Sequence, residues 1–421
     1  MGKTSLDLRG DRFIINGQLT YSDIPGSRSQ AHGLLMNARL IQGIFDDKAD
    51  PGRFSRFGIE WDADANTDRL IAALPAWKDH GLLAFTVGLQ GGMPVLTIPN
   101  SSIDNNPFSA DGKQIDPAYL DRLDRLIRAA DGLGMAVIVS ILYEGQAKRM
   151  ADGRCIRHAV SSACRFLKEA AYTNVIVEVA NEYNVGGFKN HPLICHPEGI
   201  ASLIDLARTE SGGMPVGSSG GGLVCDPEVC RASDVILLHG NGGTEQTYYD
   251  MIRKGQALDL CRPIVCNEDS PRFTQLKVAL KTGTSWGYYN THTKQEPPAD
   301  WSITRGEDQF FAWRMADAIG LNPPEIREEE QFYFQGFEAH NTWQGKRWLR
   351  LASLHPERID YVEYIRNGAL FDVAFEEPYY PLHRTTWIQD GVVLSGKREE
   401  WLARIHLHSG EVTERTAVIE P

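Results

Sequence analysis

Two glutamates stand out for their place in the chain. The stretch Val175-Ile176-Val177-Glu178-Val179-Ala180-Asn181-Glu182 begins as a β-branched run and ends on an amide followed by a carboxylate. Such a run reads as a buried parallel strand, because a helix does not concentrate so many stiff side chains. Pro263-Ile264-Val265-Cys266-Asn267-Glu268 repeats the pattern. In barrels of parallel strands the C-terminal strand ends carry the chemistry. Two carboxyl groups facing one opening suit cleavage of an acetal by double displacement. One is protonated and donates to the leaving oxygen; the other is ionised and attacks the carbon. Such a pair titrates as a coupled unit. A lone glutamate at a strand end is ordinarily a solvated rim or ion-pair residue. Two at matching ends, one preceded by Asn181, favour chemistry.

Weaker candidates surround them. Gln90 and Tyr143 end two earlier strands and are placed to bind hydroxyl groups. Glu144 shares that placement but reads more readily as an ion-pair residue, Asp269 as a helix cap, and Asp46-Asp47, a candidate sugar or metal binder, more readily as a solvated loop pair. His239 ends a further strand, where it is either a packed histidine or part of the site. No His/Cys set has zinc spacing and no H-E-x-x-H is present, so no metal and no cofactor is expected. Ser218-Ser219-Gly220-Gly221-Gly222 lacks the Lys-Ser/Thr ending of a phosphate loop.

The elements that must position these residues alternate. Strands are expected at 38–47, 82–90, 135–143, 174–182, 214–219, 234–239, 263–268 and 284–290. Helices are expected between them, one capped by Asn66 and ended by Gly81, others at 119–133, 159–171, 197–209, 246–258 and 271–282, with a last one at 308–319. Eight strand–helix alternations imply a (β/α)8 TIM barrel over residues 1–325, with a hairpin turning at Asn16-Gly17 as an N-terminal plug. An open doubly wound sheet would carry a glycine-rich fingerprint after its first strand, and none is seen. From residue 326 to 421 the pattern changes to short strands at 361–365, 370–375, 385–388, 392–395, 405–408 and 411–419. This predicts a small C-terminal β-domain of sandwich type. The aromatic segment 332–354 is ambiguous and is a candidate edge of the cleft.

Composition bounds the function. At 421 residues, one large domain and a smaller one are expected. The net charge of −12 argues against nucleic acid, and no apolar run is long enough to span a bilayer. Seven cysteines leave at least one unpaired in a monomer. Cys155 with Cys164, or Cys225 with Cys230, suit a disulfide; buried free thiols are the other reading. Met1-Gly2-Lys3 runs into polar residues without an apolar signal region, which leaves the compartment open. Oligomeric state is not readable.

The pattern Val-Ala-Asn181-Glu182 on strand four, with Glu268 on strand seven, resembles clan A of the retaining glycoside hydrolases, in particular the cellulase-like family 5 group. The resemblance covers roughly residues 10 to 320. It implies Glu182 as general acid/base, Glu268 as nucleophile, and Asn181 as the residue that bonds the sugar 2-hydroxyl. It also implies Trp286 as a stacking platform under the sugar, Arg39 as the arginine supporting the nucleophile, and His239 as a neighbour of the nucleophile. The third residue of the usual Asn-Glu-Pro is Tyr183 here. The implied partner is an oligo- or polysaccharide with a β-linkage. Transglycosylation would use the same residues, whereas a barrel that only binds carbohydrate predicts loss of one glutamate, and both are present.

Overall fold

The structure, a computed structural model, describes residues 2–92, 102–268, 272–338, 342–384 and 390–421. Among the described residues, eight parallel strands alternate with eight principal helices. The strands are β1 (Asn37–Arg39), β2 (Ala84–Gly88), β3 (Ala136–Leu142), β4 (Val175–Ala180), β5 (Val216–Gly217), β6 (Ile236–His239), β7 (Ile264–Glu268) and β8 (Gly287–Tyr288). The helices are α1 (Ala63–Asp79), α2 (Pro117–Gly132), α3 (Gly153–Glu169), α4 (Pro197–Glu210), α5 (Pro227–Ala232), α6 (Glu245–Gln256), α7 (Gln275–Thr282) and α8 (Glu307–Ile319). This is a TIM barrel of the (β/α)8 type.

The strands pair in two ladders, a six-stranded one in the order β8-β1-β2-β3-β4-β5 and a two-stranded one, β7-β6. Two thin seams join them. At one, Asp234 N–H donates to Val216 O at 2.7 Å. At the other, Val265 bridges Ser285 in parallel. Every residue of β2, β3 and β4 is buried, as expected of strands covered on one face by helices and packed into the lumen on the other. The helices answer with one apolar stripe each. In α3, Ile156, Ala159, Val160, Ala163, Cys164 and Leu167 are buried at helical spacing.

The helix starts differ from the expected ones for local reasons. Asp62 caps α1, accepting from Ala65 N–H. Asn66 is instead inside the helix, donating to Gln42 O at 2.9 Å and accepting from Trp301 Nε1 at 3.0 Å. Asp152 caps α3 through the N–H groups of Arg154 and Cys155, so that helix begins six residues before 159. The N-terminal segment forms three short antiparallel strands, with Asn16-Gly17 as the second turn. Leu6 N–H donates to Thr173 O, just ahead of β4, so the hairpin covers the end of the barrel opposite the strand C-termini.

The C-terminal part has its own core. Strands β9 (Phe332–Gln335) and β10 (Arg350–Ser353) form one antiparallel pair. A four-stranded sheet runs β12 (Ala369–Ala374), β11 (Ile359–Arg366), β13 (Glu399–Leu407), β14 (Val412–Ile419). Along β13 buried residues alternate with half-buried or exposed ones, the mark of a sheet with one face covered. Phe332, Phe334, Leu351, Val362, Tyr364, Trp401 and Ile405 share that core. The ambiguous segment 332–354 thus supplies β9, β10 and two shorter paired strands, Thr342–Trp343 and Lys346–Arg347, with Phe332 and Phe334 packed inside. The strand expected at 385–388 lies outside the described residues. None of the seven cysteines is in a disulfide, and Cys225 Sγ and Cys230 Sγ lie 3.6 Å apart. Among the described residues no helix is long and apolar enough to cross a membrane.

Candidate active site

Glu182 lies two residues beyond the end of β4, in the left-handed backbone region, with φ of 51°. Non-glycine residues take that conformation rarely, and it persists where neighbours enforce it. Here Ser219, just beyond β5, does so: its Oγ accepts from Glu182 N–H at 3.1 Å and its carbonyl accepts from Tyr183 N–H at 3.0 Å. The crank turns the Glu182 side chain over the strand ends. Glu268 ends β7 at a register shift against β6, a bulge that re-aims the side chain.

The two glutamates meet at His239, the last residue of β6. His239 Nδ1 lies 3.0 Å from Glu182 Oε1 and 3.3 Å from Glu268 Oε2. One carboxylate oxygen from each glutamate and a ring nitrogen of His239 all fall within 4.8 Å of one another. Arg39, at the end of β1 and 1% exposed, places Nη1 2.9 Å from Glu268 Oε2 and 2.9 Å from Asn181 Oδ1. That contact uses the Asn181 oxygen and leaves its Nδ2 as the donor available to a ligand. Asn241 Nδ2 donates to the other carboxylate oxygen, Glu268 Oε1, at 2.9 Å. Below, the buried Glu178 accepts from Asn267 Nδ2 at 3.1 Å and lies 4.0 Å from His239 Nε2.

Three carboxyl groups therefore face two cationic side chains. Burial would lower the His239 pKa, but Glu268, Glu182 and Glu178 outweigh it and raise it, so the ring favours the imidazolium. Burial would raise Glu182, but the His239 hydrogen bond and charge, with Arg39, carry it below the usual range. Burial holds Glu268 above the usual range, with Glu182 and Glu178 adding to it against Arg39 and His239. Between these two glutamates the surroundings thus favour a proton on Glu268 over one on Glu182.

The other residues expected at the site are placed as follows. Tyr143 sits directly after β3, and its phenol is pushed up by burial within the field of Arg39, Glu268 and Glu182. Gln90 is fully buried and has no free amide for a sugar. Its Oε1 accepts from Tyr143 N–H at 2.7 Å and its Nε2 donates to Asn106 Oδ1 at 3.0 Å, so it holds Tyr143 in place. Trp286 departs from the expected platform. Its ring is 1% exposed and packs on Phe311 of α8 at 4.8 Å, on the helix side of the strand. Side-chain alternation explains this: Trp286 and Tyr288 both meet Phe311, and Tyr289 points the other way. Tyr289 instead lies beside Arg39, whose guanidinium is 5.9 Å from the ring centre.

Asp47 also differs from expectation. It is buried against Arg53 at 2.7 Å and is not a solvated partner of Asp46. Glu144 accepts from Gly187 N–H at 2.9 Å. Asp269 lies outside the described residues. Sequence reading assigned no role to Asn241, Glu178 or Tyr289. A polar residue among loop glycines, a charge inside an apolar strand, and strand parity were the signals present.

Glu182, His239 and Glu268 could each offer one ligand atom to a metal ion. A metal would compete with the Arg39 guanidinium for Glu268 and with the proton on His239 Nδ1. The donor set fits proton transfer better.

No family model matches the chain, and no curated protein matches it. Among solved structures, the chain is similar to a Parabacteroides merdae β-glucuronidase, at 12% identity and a TM-score of 0.44, over 99% of this chain and 50% of that one. It is also similar to an endo-β-1,4-mannanase from Thermotoga petrophila, at 11% identity and a TM-score of 0.46, over 92% of this chain and 97% of that one. The chain thus spans half the length of the β-glucuronidase. Likenesses this distant do not bear on function.

Proposed function

We propose that the protein is a retaining glycoside hydrolase acting on a β-linked oligo- or polysaccharide. The observation that carries this is the approach of Glu182 and Glu268 within 4.8 Å around His239 at the C-terminal ends of β4 and β7. Retaining enzymes hold their carboxyl groups at about 5–5.5 Å, whereas inverting ones leave about 6.5–9.5 Å for a water. A Glu268 oxygen attacks the anomeric carbon as the glycosidic bond breaks, and the leaving oxygen takes the proton of Glu182. Glu182 then removes a proton from water, which attacks the same carbon and releases Glu268. Arg39 and Asn241 hold one oxygen each of Glu268, an arrangement that orients a nucleophile and stabilises it as the leaving carboxylate.

The surroundings favour a proton on Glu268 over Glu182, while attack requires it on Glu182. His239 Nδ1 reaches both carboxylates, so it can give its proton to Glu182 and take one from Glu268 without changing the total. The same resting preference supports a second reading with the roles exchanged, Glu182 attacking and Glu268 protonating. Incubation with a panel of 2-deoxy-2-fluoro glycosyl donors, followed by digestion and mass spectrometry, separates the two. An adduct on Glu268 is expected. An adduct on Glu182 selects the exchanged roles. If every donor is released as free sugar with inverted configuration, the retaining reading falls.

A further inference from the structure

The carboxylate assigned as nucleophile is held by a chain of contacts that ends outside the barrel. Besides the Asn241 side chain, the N–H groups of Gly240 and Asn241 donate to the Glu268 carbonyl at 2.9 and 3.2 Å. Glycines at 240, 242 and 243 leave this loop little stiffness of its own. Gln275, the first residue of α7 and fully buried, grips it: Nε2 donates to Gly240 O at 3.3 Å and to Gly243 O at 3.0 Å.

Gln275 stands on a helix start whose N-cap residue, Thr274, makes no side-chain cap of its own. The acceptors come from the C-terminal domain. Glu377, 6% exposed, takes Phe273 N–H at 2.5 Å on Oε1, and Thr274 N–H at 3.2 Å and Thr274 Oγ1 at 2.8 Å on Oε2. A carboxylate here satisfies orphan donors and opposes the positive end of the helix dipole. Its neighbours are pinned as well. Glu376 Oε2 lies 3.2 Å from Arg272 Nη1, and Pro378 O accepts from Arg350 Nε at 3.0 Å. Arg350 is itself ion-paired with Glu307 at the start of α8.

We infer that Glu377 is a positioning residue for the nucleophile, acting through Gln275 and the 240–243 loop on Asn241 and so on Glu268. The C-terminal domain is then a working part of the active site. This rests on the double-displacement reading above.

The test is a double-mutant cycle on the rate of covalent labelling by a 2-deoxy-2-fluoro donor. Glu377→Ala is expected to slow labelling by about 10- to 100-fold, the size of loss that a small misplacement of a reacting group produces. Glu377→Gln keeps an acceptor oxygen and recovers part of the rate. Asn241→Ala alone slows labelling, and adding Glu377→Ala to it changes little further, because the two act in one line. Losses that multiply overturn the inference, since general destabilisation does not pass through Asn241. If Glu377→Ala does not fold, the cycle is run with Glu377→Gln. The free enzyme gives a second readout, the titration of the His239 ring followed by NMR. Displacing Glu268 removes a neighbour that raises the His239 pKa, so the Glu377 variant titrates at lower pH. A variant with unchanged labelling or unchanged His239 titration overturns the inference. Absence of labelling in the wild type counts against the hydrolase reading, and the His239 titration then decides the positioning role alone.

Discussion

Asp308 and Glu268 are both buried carboxylates in the barrel, at 0% and 5% exposure, and their surroundings push them in opposite directions. Asp308, on α8, is saturated with donors. It accepts from Lys294 Nζ at 2.6 Å, Tyr288 OH at 2.5 Å, Asn290 Nδ2 at 2.9 Å, Thr304 Oγ1 at 2.7 Å and Thr293 Oγ1 at 3.1 Å. Burial would raise its pKa, and these partners, Lys294 foremost, lower it instead. Glu268 shares its two cations with Glu182 and Glu178, and its pKa is raised. Burial alone therefore does not mark a functional carboxylate. A satisfied one holds the fold together, and one in a cluster with more carboxylates than cations is poised to take up or release a proton.

That contrast can be broken by swapping each charge for a neutral group. Glu268→Gln is expected to lower turnover by about 10⁴-fold or more, as loss of a reacting group does. The same change leaves Arg39 and the His239 imidazolium facing two carboxylates, so the denaturation midpoint at neutral pH rises, by about 1 kcal/mol of stability. Asp308→Ala does the reverse on stability. It strands Lys294, 1% exposed at its side chain, and is expected to cost about 3–5 kcal/mol in chemical denaturation. A midpoint lowered by Glu268→Gln, or unmoved by Asp308→Ala, would collapse the distinction.

The pH dependence carries the same sign. A carboxylate with a depressed folded pKa stabilises fully above its unfolded value of about 3.9, and that stability is lost as pH falls through the folded value. Wild type should therefore show an acid limb that Asp308→Asn flattens, measured as unfolding midpoint against pH. Glu268, with a raised folded pKa, loses stability as pH rises through that value, so Glu268→Gln should remove a decline on the neutral side.

Smaller effects sharpen the picture further. Arg39→Lys cannot keep the contacts to Glu268, Asn181 and Gln295 together, because an ammonium lacks the planar fork. It should lower kcat/KM by about 10- to 100-fold with the fold intact by circular dichroism. Trp286→Phe should cost about 1–2 kcal/mol of stability and leave KM for a glycoside within about twofold, as for a core residue away from substrate. A large rise in KM would return Trp286 to the cleft.

The sequence by itself determined the alternation of eight strands and helices. Apolar runs such as 136–142 and 175–180 can be satisfied only between two covered faces, and amphipathic helices between them cover one. It also placed Glu182 and Glu268 at the same end of the barrel, because parallel strands put all C-termini on one side. Which polar residues serve the pair was decided by tertiary structure. Strand parity turned Trp286 into the helix layer and Tyr289 toward Arg39, and a one-residue error in register reverses that choice. Asn66 found partners on other segments and left the capping to Asp62. Asn241, a polar residue among loop glycines, and Glu377 carry nothing local that names their partners, since their roles depend on which loop and which domain lie against the end of β7. Periodicity records what a segment buries, whereas the partner of a polar group is set by chain segments distant in sequence, and only packing brings those together.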